Sequence, residues 1–440
     1  MIKHNGESCS IIENYQLVEN SIAWIVAWYC LGSLFGGLTQ NILVDLIGFK
    51  MSITFYNFSI LIGWIILLRF DCVEDDMIRT IWISRSLQGF GCGGLTLLVP
   101  SYISEITDIN IKSKVQVIHH VFISFGISFT YHLGVICSTF NNIIYSCLFW
   151  SILHILIVYF LPESPYYMVN KRSANEVKNV MRLIRGPFYD ADECYTRLQK
   201  CTEQLRDKNT SFCEALTEKH CIKVLTIGIG LIIFQQLCGV TMLTQFMQEV
   251  VVHFGDYDET SSLTSIAVLS LSILQVVVCL AAIETVEMFG RKTLLFISSI
   301  CMAITLSMLL VYHIILPKYL ASDCYEDAPL FLIFSYIFSY NIGWGPIVMV
   351  VIADITTLNS MKKSTGILHG IGQIVMFIVV CLFYNDKFMS YNSVTLWFYT
   401  LCCYVSALFV CFVVRETHGK NPKRIESLLT NDCIVNSDSD

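Results

Sequence analysis

Two adjacent glutamines, Gln235 and Gln236, sit in the middle of a long apolar run, LTIGIGLIIFQQLCGVTML. An amide carries donors and acceptors but no charge, so it can bind hydroxyl groups without burying an ion. Two amides in hydrocarbon are expensive unless they face a cavity or pair across helices. Contact with a neutral polar solute is one reading, and a hydrogen bond between packed helices is the other. Successive helical side chains point about 100° apart, so the two glutamines need not share one role. His119-His120, in another apolar run, has no Asp, Glu or Cys at ligand spacing within that run, which argues against a metal centre. No grouping of Ser, His and Asp suggests a nucleophile. The other chemistry-bearing residues are charges gathered at the ends of apolar runs. Neither an enzyme activity nor a cofactor is expected.

The elements that must position these residues are apolar runs of about 20 residues, each long enough to cross a ~30 Å hydrocarbon core as a helix. Eleven occur, at about 21–43, 49–69, 78–104, 115–138, 143–161, 222–249, 261–285, 293–316, 328–353, 365–384 and 393–414. No period-two alternation runs through them, so helices are the only plausible spanning form. A 440-residue chain that is 55% hydrophobic and 14% charged is therefore read as all-α and polytopic in a membrane. The runs divide five and six around one long polar segment. This gives an external N-terminal segment at 1–20, an N half at 21–161, an insert at 162–222, a C half at 223–414 and a tail at 415–440.

Charge orients the runs. The insert carries Lys171, Arg172, Lys178, Arg182, Arg185 and more, and connections on its side hold Lys50, Lys112, Lys114, Arg291 and Lys292. Opposite connections are acidic, with Glu74, Asp75 and Asp76, then Asp256, Asp258 and Glu259. The excess of Lys and Arg places the insert and the tail in the cytoplasm. The start is polar and has no apolar core, so no cleavable signal is expected and the first run serves for insertion. Most of the 19 cysteines lie in the runs as small apolar residues. Cys72 and Cys324 are read as free external thiols. Within the insert, Ser173-x-x-Glu176 and Ser211-x-x-Glu214 read as capping boxes, and Gly186-Pro187 as a stop. Three short helices are expected there.

The halves echo each other. Asp45-Leu-Ile-Gly48-Phe-Lys50 matches Glu287-Met-Phe-Gly290-Arg291-Lys292 at the corresponding joint. Glu105 with Lys112 matches Asp354 with Lys362. Pro162-Glu-Ser-Pro165 and Glu416-Thr-His-Gly419 each follow the last run of a half. Such a repeat is the pattern of a transporter with a midplane site between its halves.

With Arg85-Ser-Leu-Gln-Gly89, Tyr102-Ile-Ser-Glu105, Gln235-Gln236-Leu-Cys-Gly239 and Gly343-Trp-Gly-Pro346, these motifs resemble the sugar porter family of the major facilitator superfamily. Within it they resemble the insect trehalose-transporter-like branch. The resemblance runs from residue 21 to residue 420. It implies a fold of two helical halves in which the run at Ser21 matches the family's second helix, so that the first is missing from these eleven spans. It implies facilitated transport of a sugar, trehalose or a hexose, across the plasma membrane by alternating access. A transport-inactive paralogue acting as a sugar sensor or scaffold is the alternative. The substrate-binding residues implied are Gln235, Gln236, Thr241 (Asn in the family), His120 (Gln in the family), Trp344 and Gln373. Gln373 adjoins Gly372, where relatives carry Asn, and Met349 replaces a frequent Trp. A conformational latch is implied in Asp45, Glu105, Lys112, Glu163, Arg291, Asp354 and Glu416, with Phe49 replacing the family's Arg in the first repeat. Partners are the sugar and the lipid bilayer, not nucleic acid; oligomeric state stays open.

Overall fold

The chain is described by a computed structural model over residues 22–68, 74–107, 111–137, 139–207, 219–255, 261–319, 328–355, 359–384 and 393–420. The expected external segment at 1–20, Cys72, Cys324, the second capping box and the acidic connection at 256–259 lie outside these residues. All regular structure among the described residues is helical. In the N half, α1 (Ile22–Ile47), α2 (Phe49–Leu68), α3 (Glu74–Ile106), α4 (Lys112–Ile136) and α5 (Phe140–Phe160) run back and forth. The insert supplies α6 (Pro165–Val169), α7 (Ala174–Arg185) and α8 (Ala191–Asp207). The C half follows as α9 (Lys219–Leu237), α10 (Val240–Gln245), α11 (Met247–Gly255), α12 (Ser262–Phe289), α13 (Arg291–Tyr319), α14 (Ala328–Ile342), α15 (Ile347–Ile355), α16 (Asn359–Tyr384) and α17 (Ser393–Phe412).

Eight helices among the described residues are long and apolar enough to span a membrane, against eleven predicted. The three others are present but less apolar or broken. α3 carries Arg79, Arg85, Gln88 and a run of glycines, and α4 carries His119, His120 and Gln116. The run at 222–249 is cut into α9, α10 and α11. The first cut falls at Gly239, whose φ of 88° is left-handed and suits a residue without Cβ. Large apolar side chains face outward around the bundle, among them Phe160 (83% exposed) and Ile136 (74% exposed), which in water would be a liability and in lipid is not.

Within the N half, α3 packs against α1 and α2, and α2 against α5. Their core is Phe49, Ile53, Tyr56, Leu98, Tyr102 and Val158. Phe49 is buried there against Tyr102, ring centroids 5.8 Å apart, which explains why an apolar residue can stand at this helix start. The C half packs α13 against α14 and α17, and α9 against α16. The two most extensive pairings that join the halves are α1 with α16 and α4 with α12, and α4 also touches α15. Ser124 and Ser128 of α4 meet Cys279 (3.3 Å) and Ser272 (3.1 Å) of α12, so small polar residues let these helices come close and hydrogen-bond.

In the insert, Met168, Val177, Met181, Ala191 and Leu198 form a small core of their own. α7 begins after Ser173, as its capping box predicts, although the hydroxyl donates to Glu176 Oε1 (2.9 Å). Gly186, with φ 97°, ends the helix. Lys171 Nζ ties the insert to the end of α1 through the carbonyls of Asp45 (2.9 Å) and Leu46 (3.1 Å). The end of the bundle bearing residues 48, 290 and the insert is called the insert face below.

Candidate functional site

Gln235 lies near the end of α9, just before the helix breaks. Its Nε2 donates to the carbonyl of Trp344 (3.0 Å), in the turn between α14 and α15. Two interrupted helices thus meet at one amide. Gln236 points elsewhere: its Oε1 accepts from Thr241 Oγ1 (2.9 Å), tying α9 to α10 across the break. The fully buried Trp344 indole donates its N–H to Ser299 Oγ on α13 (2.6 Å). A buried indole needs such a partner. Trp344 thus meets Gln235 through its carbonyl, while its ring is turned to α13.

The N half reaches this place through His120. A Cβ built on Gly345 would lie 2.9 Å from His120 Nε2, 3.3 Å from Tyr340 and 3.4 Å from Asn341 Oδ1. The glycine therefore leaves room for a histidine from the other half. His120 Nε2 is buried with no hydrogen-bond partner, as is Oε1 of Gln373 on α16. Among the residues not singled out from the sequence that share that condition are Gln275 of α12, through Oε1, and Gln116 of α4, through both amide atoms. His369 of α16, likewise not singled out, is buried and meets Ser33 of α1 at 3.1 Å, a hydrogen bond between halves. Their one signal in sequence is a polar side chain in an apolar run, and that does not say what lies opposite. The pocket lined by Cys238, Met242, Leu306, Tyr336, Leu396 and Tyr399 lies inside the C half. Its walls are mostly apolar and exclude Gln235, so it does not suit a polyhydroxylated solute.

At the insert face the charged motifs divide into two kinds. Glu163 accepts from the backbone N–H of Phe49 (2.9 Å) and Lys50 (3.3 Å), at the start of α2. Glu416 accepts from the N–H of Arg291 (3.1 Å) and Lys292 (3.0 Å), at the start of α13. Each carboxylate therefore satisfies orphan donors at a helix N-terminus in its own half, where negative charge is favoured. They do not tie the halves together, contrary to the sequence expectation. Glu105 likewise takes a hydrogen bond from Ser164 Oγ (2.5 Å) in its own half. Asp45 is exposed, and its carbonyl rather than its carboxylate holds Lys171.

Contacts between halves come from Arg291, Asp354 and the start of α4. Arg291, only 5% exposed, lies 3.7 Å from Asp354 Oδ2 and donates to Ser113 Oγ of α4 (2.5 Å). It also meets His418. Lys112 adds its charge to the field on Asp354, which accepts from Thr417 (3.0 Å). A second bridge, missed in the sequence, joins Lys114 of α4 to Glu284 of α12 at 3.2 Å. With side chains 36% and 71% exposed it is worth at most ~1 kcal/mol. Glu284→Lys should therefore change maximal flux by no more than about fivefold. Lys114→Glu in the same chain should restore it; a double variant no better than the single one would show the pair does not act in the cycle.

Two helical bundles packed against each other, with polar atoms buried between helices and left unpaired, suit a membrane carrier. The chain belongs to the Sugar (and other) transporter family, whose model matches residues 3–429. The facilitated trehalose transporter Tret1 of Bombyx mori is 25% identical over 417 residues, covering 94% of this chain and 80% of its own. The human solute carrier family 2, facilitated glucose transporter member 6, is 24% identical over 444 residues, covering 95% and 84%. The solved proton:xylose symporter XylE, bound to 6-bromo-6-deoxy-D-glucose, superposes with a TM-score of 0.77 at 20% identity, covering 93% of this chain and 89% of that one. The fold is thus that of the major facilitator superfamily, and the chain is a multi-pass membrane protein.

Proposed function

We propose that this chain carries a hexose or trehalose across the plasma membrane, exposing a site around Gln235 alternately to either side, with the insert face in the cytoplasm. The observation that carries the reading is the convergence of Gln235, Tyr340, Asn341 and His120 on the space beside Gly345, at the join between halves. An unpaired buried polar group costs about 1–3 kcal/mol, and the hydroxyls of a sugar would relieve that at His120, Gln275 and Gln373. Gln236 and Thr241 act by holding the α9–α10 break, and Trp344 by lending its carbonyl.

The test is uptake of labelled glucose and trehalose into liposomes carrying the full chain. Gln235→Ala removes both a solute contact and the tie to Trp344, and is expected to lower Vmax/KM by about tenfold, the equivalent of ~1.4 kcal/mol. Folded protein without saturable uptake, but with measurable sugar binding, would favour a sensor. Undiminished uptake by the variant would remove Gln235 from the site.

A further inference from the structure

Lys112, Gln116 and His120 recur every four residues on α4, so they line one face of that helix. The C half places both ends of this face. Lys112 acts on the charge of Asp354 at the end of α15, and His120 lies against Gly345 just before α15 begins. α4 packs on α15, so Gln116 faces the seam between the halves, halfway along it. α15 brings mostly apolar side chains to the packing there: Ile347, Val348, Val350, Val351, Ile352 and Ile355 are all buried. Gln116 is itself 5% exposed, and neither its Oε1 nor its Nε2 has a partner. A leucine would pack as well there without leaving two polar atoms desolvated.

The seam below Gln116 is shut in this structure by Arg291 and Ser113, three residues earlier on the same helix. When the insert face opens, that seam parts and the amide meets water or solute. From this geometry we infer that Gln116 is the sugar contact on the insert side of the pathway, unpaired while that side is closed and satisfied by sugar hydroxyls when it opens. It lies one turn from His120, about 6 Å along the helix, so a hexose leaving His120 meets it next. The inference rests on the transport reading above. It adds a sidedness to that reading: Gln116 serves the solute arriving from or leaving to the insert side, whereas Gln235 serves both.

The experiment is influx and efflux of labelled glucose in cells without their own hexose uptake, where insertion fixes the orientation of the full chain. Gln116→Leu, of similar volume, should raise the half-saturation for sugar on the insert side by about five- to tenfold, the range expected for one lost hydrogen bond. Half-saturation on the opposite side should stay within about twofold, and Gln116→Asn should retain most of the insert-side affinity. Equal shifts on both sides, or none on either, in a chain that transports would overturn the role of Gln116 alone. A parent chain with no saturable flux in either direction would overturn the transport reading and this inference with it.

Discussion

Arg291→Gln should release the insert face and reduce maximal uptake to under about a tenth of the parent. The arginine is almost fully buried and has three kinds of partner: the Asp354 carboxylate, the Ser113 hydroxyl of the other half, and His418. Removing one member of a buried charge set costs about 3–5 kcal/mol, because the carboxylate left behind stays desolvated. Thr417 and the charge of Lys112 offset part of that cost, so on the order of 3 kcal/mol remains. If that falls on the state closed at the insert face, the balance between the two states moves by roughly a hundredfold. The carrier then spends its time open on one side. Arg291→Lys should not rescue it, because an ammonium is a point donor and cannot reach Ser113 and Asp354 together as a guanidinium does. The measurement is uptake together with the rate at which an impermeant thiol reagent on the insert side reaches a cysteine placed at Gln116. Unchanged uptake and unchanged labelling would show that Arg291 serves only the stability of the C half.

Glu163 and Glu416 show what the sequence could and could not say about these charges. The repeat Pro-Glu-Ser-Pro and Arg-Glu-Thr-His was legible, and so was the echo of the Gly48 joint in the Gly290 joint. The partner was not. Spacing puts a carboxylate near a helix end without telling whether it meets a cation across the bundle or the bare N–H groups beside it. The backbone decides. Gly48 and Gly290 adopt φ of 87° and 79°, and a Cβ on either would stand 2.8–2.9 Å from the carboxylate of Glu163 or Glu416. Each glycine thus opens the space in which the glutamate caps the next helix.

A division into two halves and an insert could be drawn from the sequence because lipid demands long apolar runs and leaves charges only at their ends. Gln235 could be singled out in the sequence because an amide pair in such a run is costly enough to need a reason. Its orientation toward the Trp344 carbonyl was not, since that depends on the break between α14 and α15 and on how far α9 runs before Gly239. Gln116, Gln275 and His369 were passed over for the same reason that the α4–α12 seam was. Scattered Ser, Cys and Gln in an apolar helix look alike whether they face lipid, a neighbour or a cavity. Phe49 was read as a lost latch charge; its burial in the N-half core shows instead that the position had become one of packing.

Gly36→Ala should unfold the N half more readily than its size suggests, and take transport with it. α1 and α3 cross so closely that a Cβ on Gly36 would lie 2.0 Å from the carbonyl oxygen of Phe90, while one on Gly89 or Gly93 would lie 2.1 Å from Tyr29 O or 2.2 Å from Ser33 O. The obstacle is backbone on both helices, so no rotamer can relieve it. The helices must part by about an ångström or α1 must turn. Either movement carries Ser33 away from His369 (3.1 Å) and Thr39 away from Tyr56 (3.0 Å), so the damage spreads to the seam with the C half. Overpacking of this kind costs about 1–3 kcal/mol for one methyl group. Helix propensity would by itself favour alanine by roughly 1 kcal/mol, so the sign of the result decides which effect wins. Gly126→Ala supplies the comparison, because a Cβ there meets nothing within 4 Å and only the propensity gain applies. Thermal unfolding followed by exposure of buried thiols such as Cys30 and Cys238 should fall for Gly36→Ala, and hold or rise for Gly126→Ala. Equal melting of the two variants would mean that α1 and α3 are free to separate, and that their close crossing is not what fixes α1 against the other half.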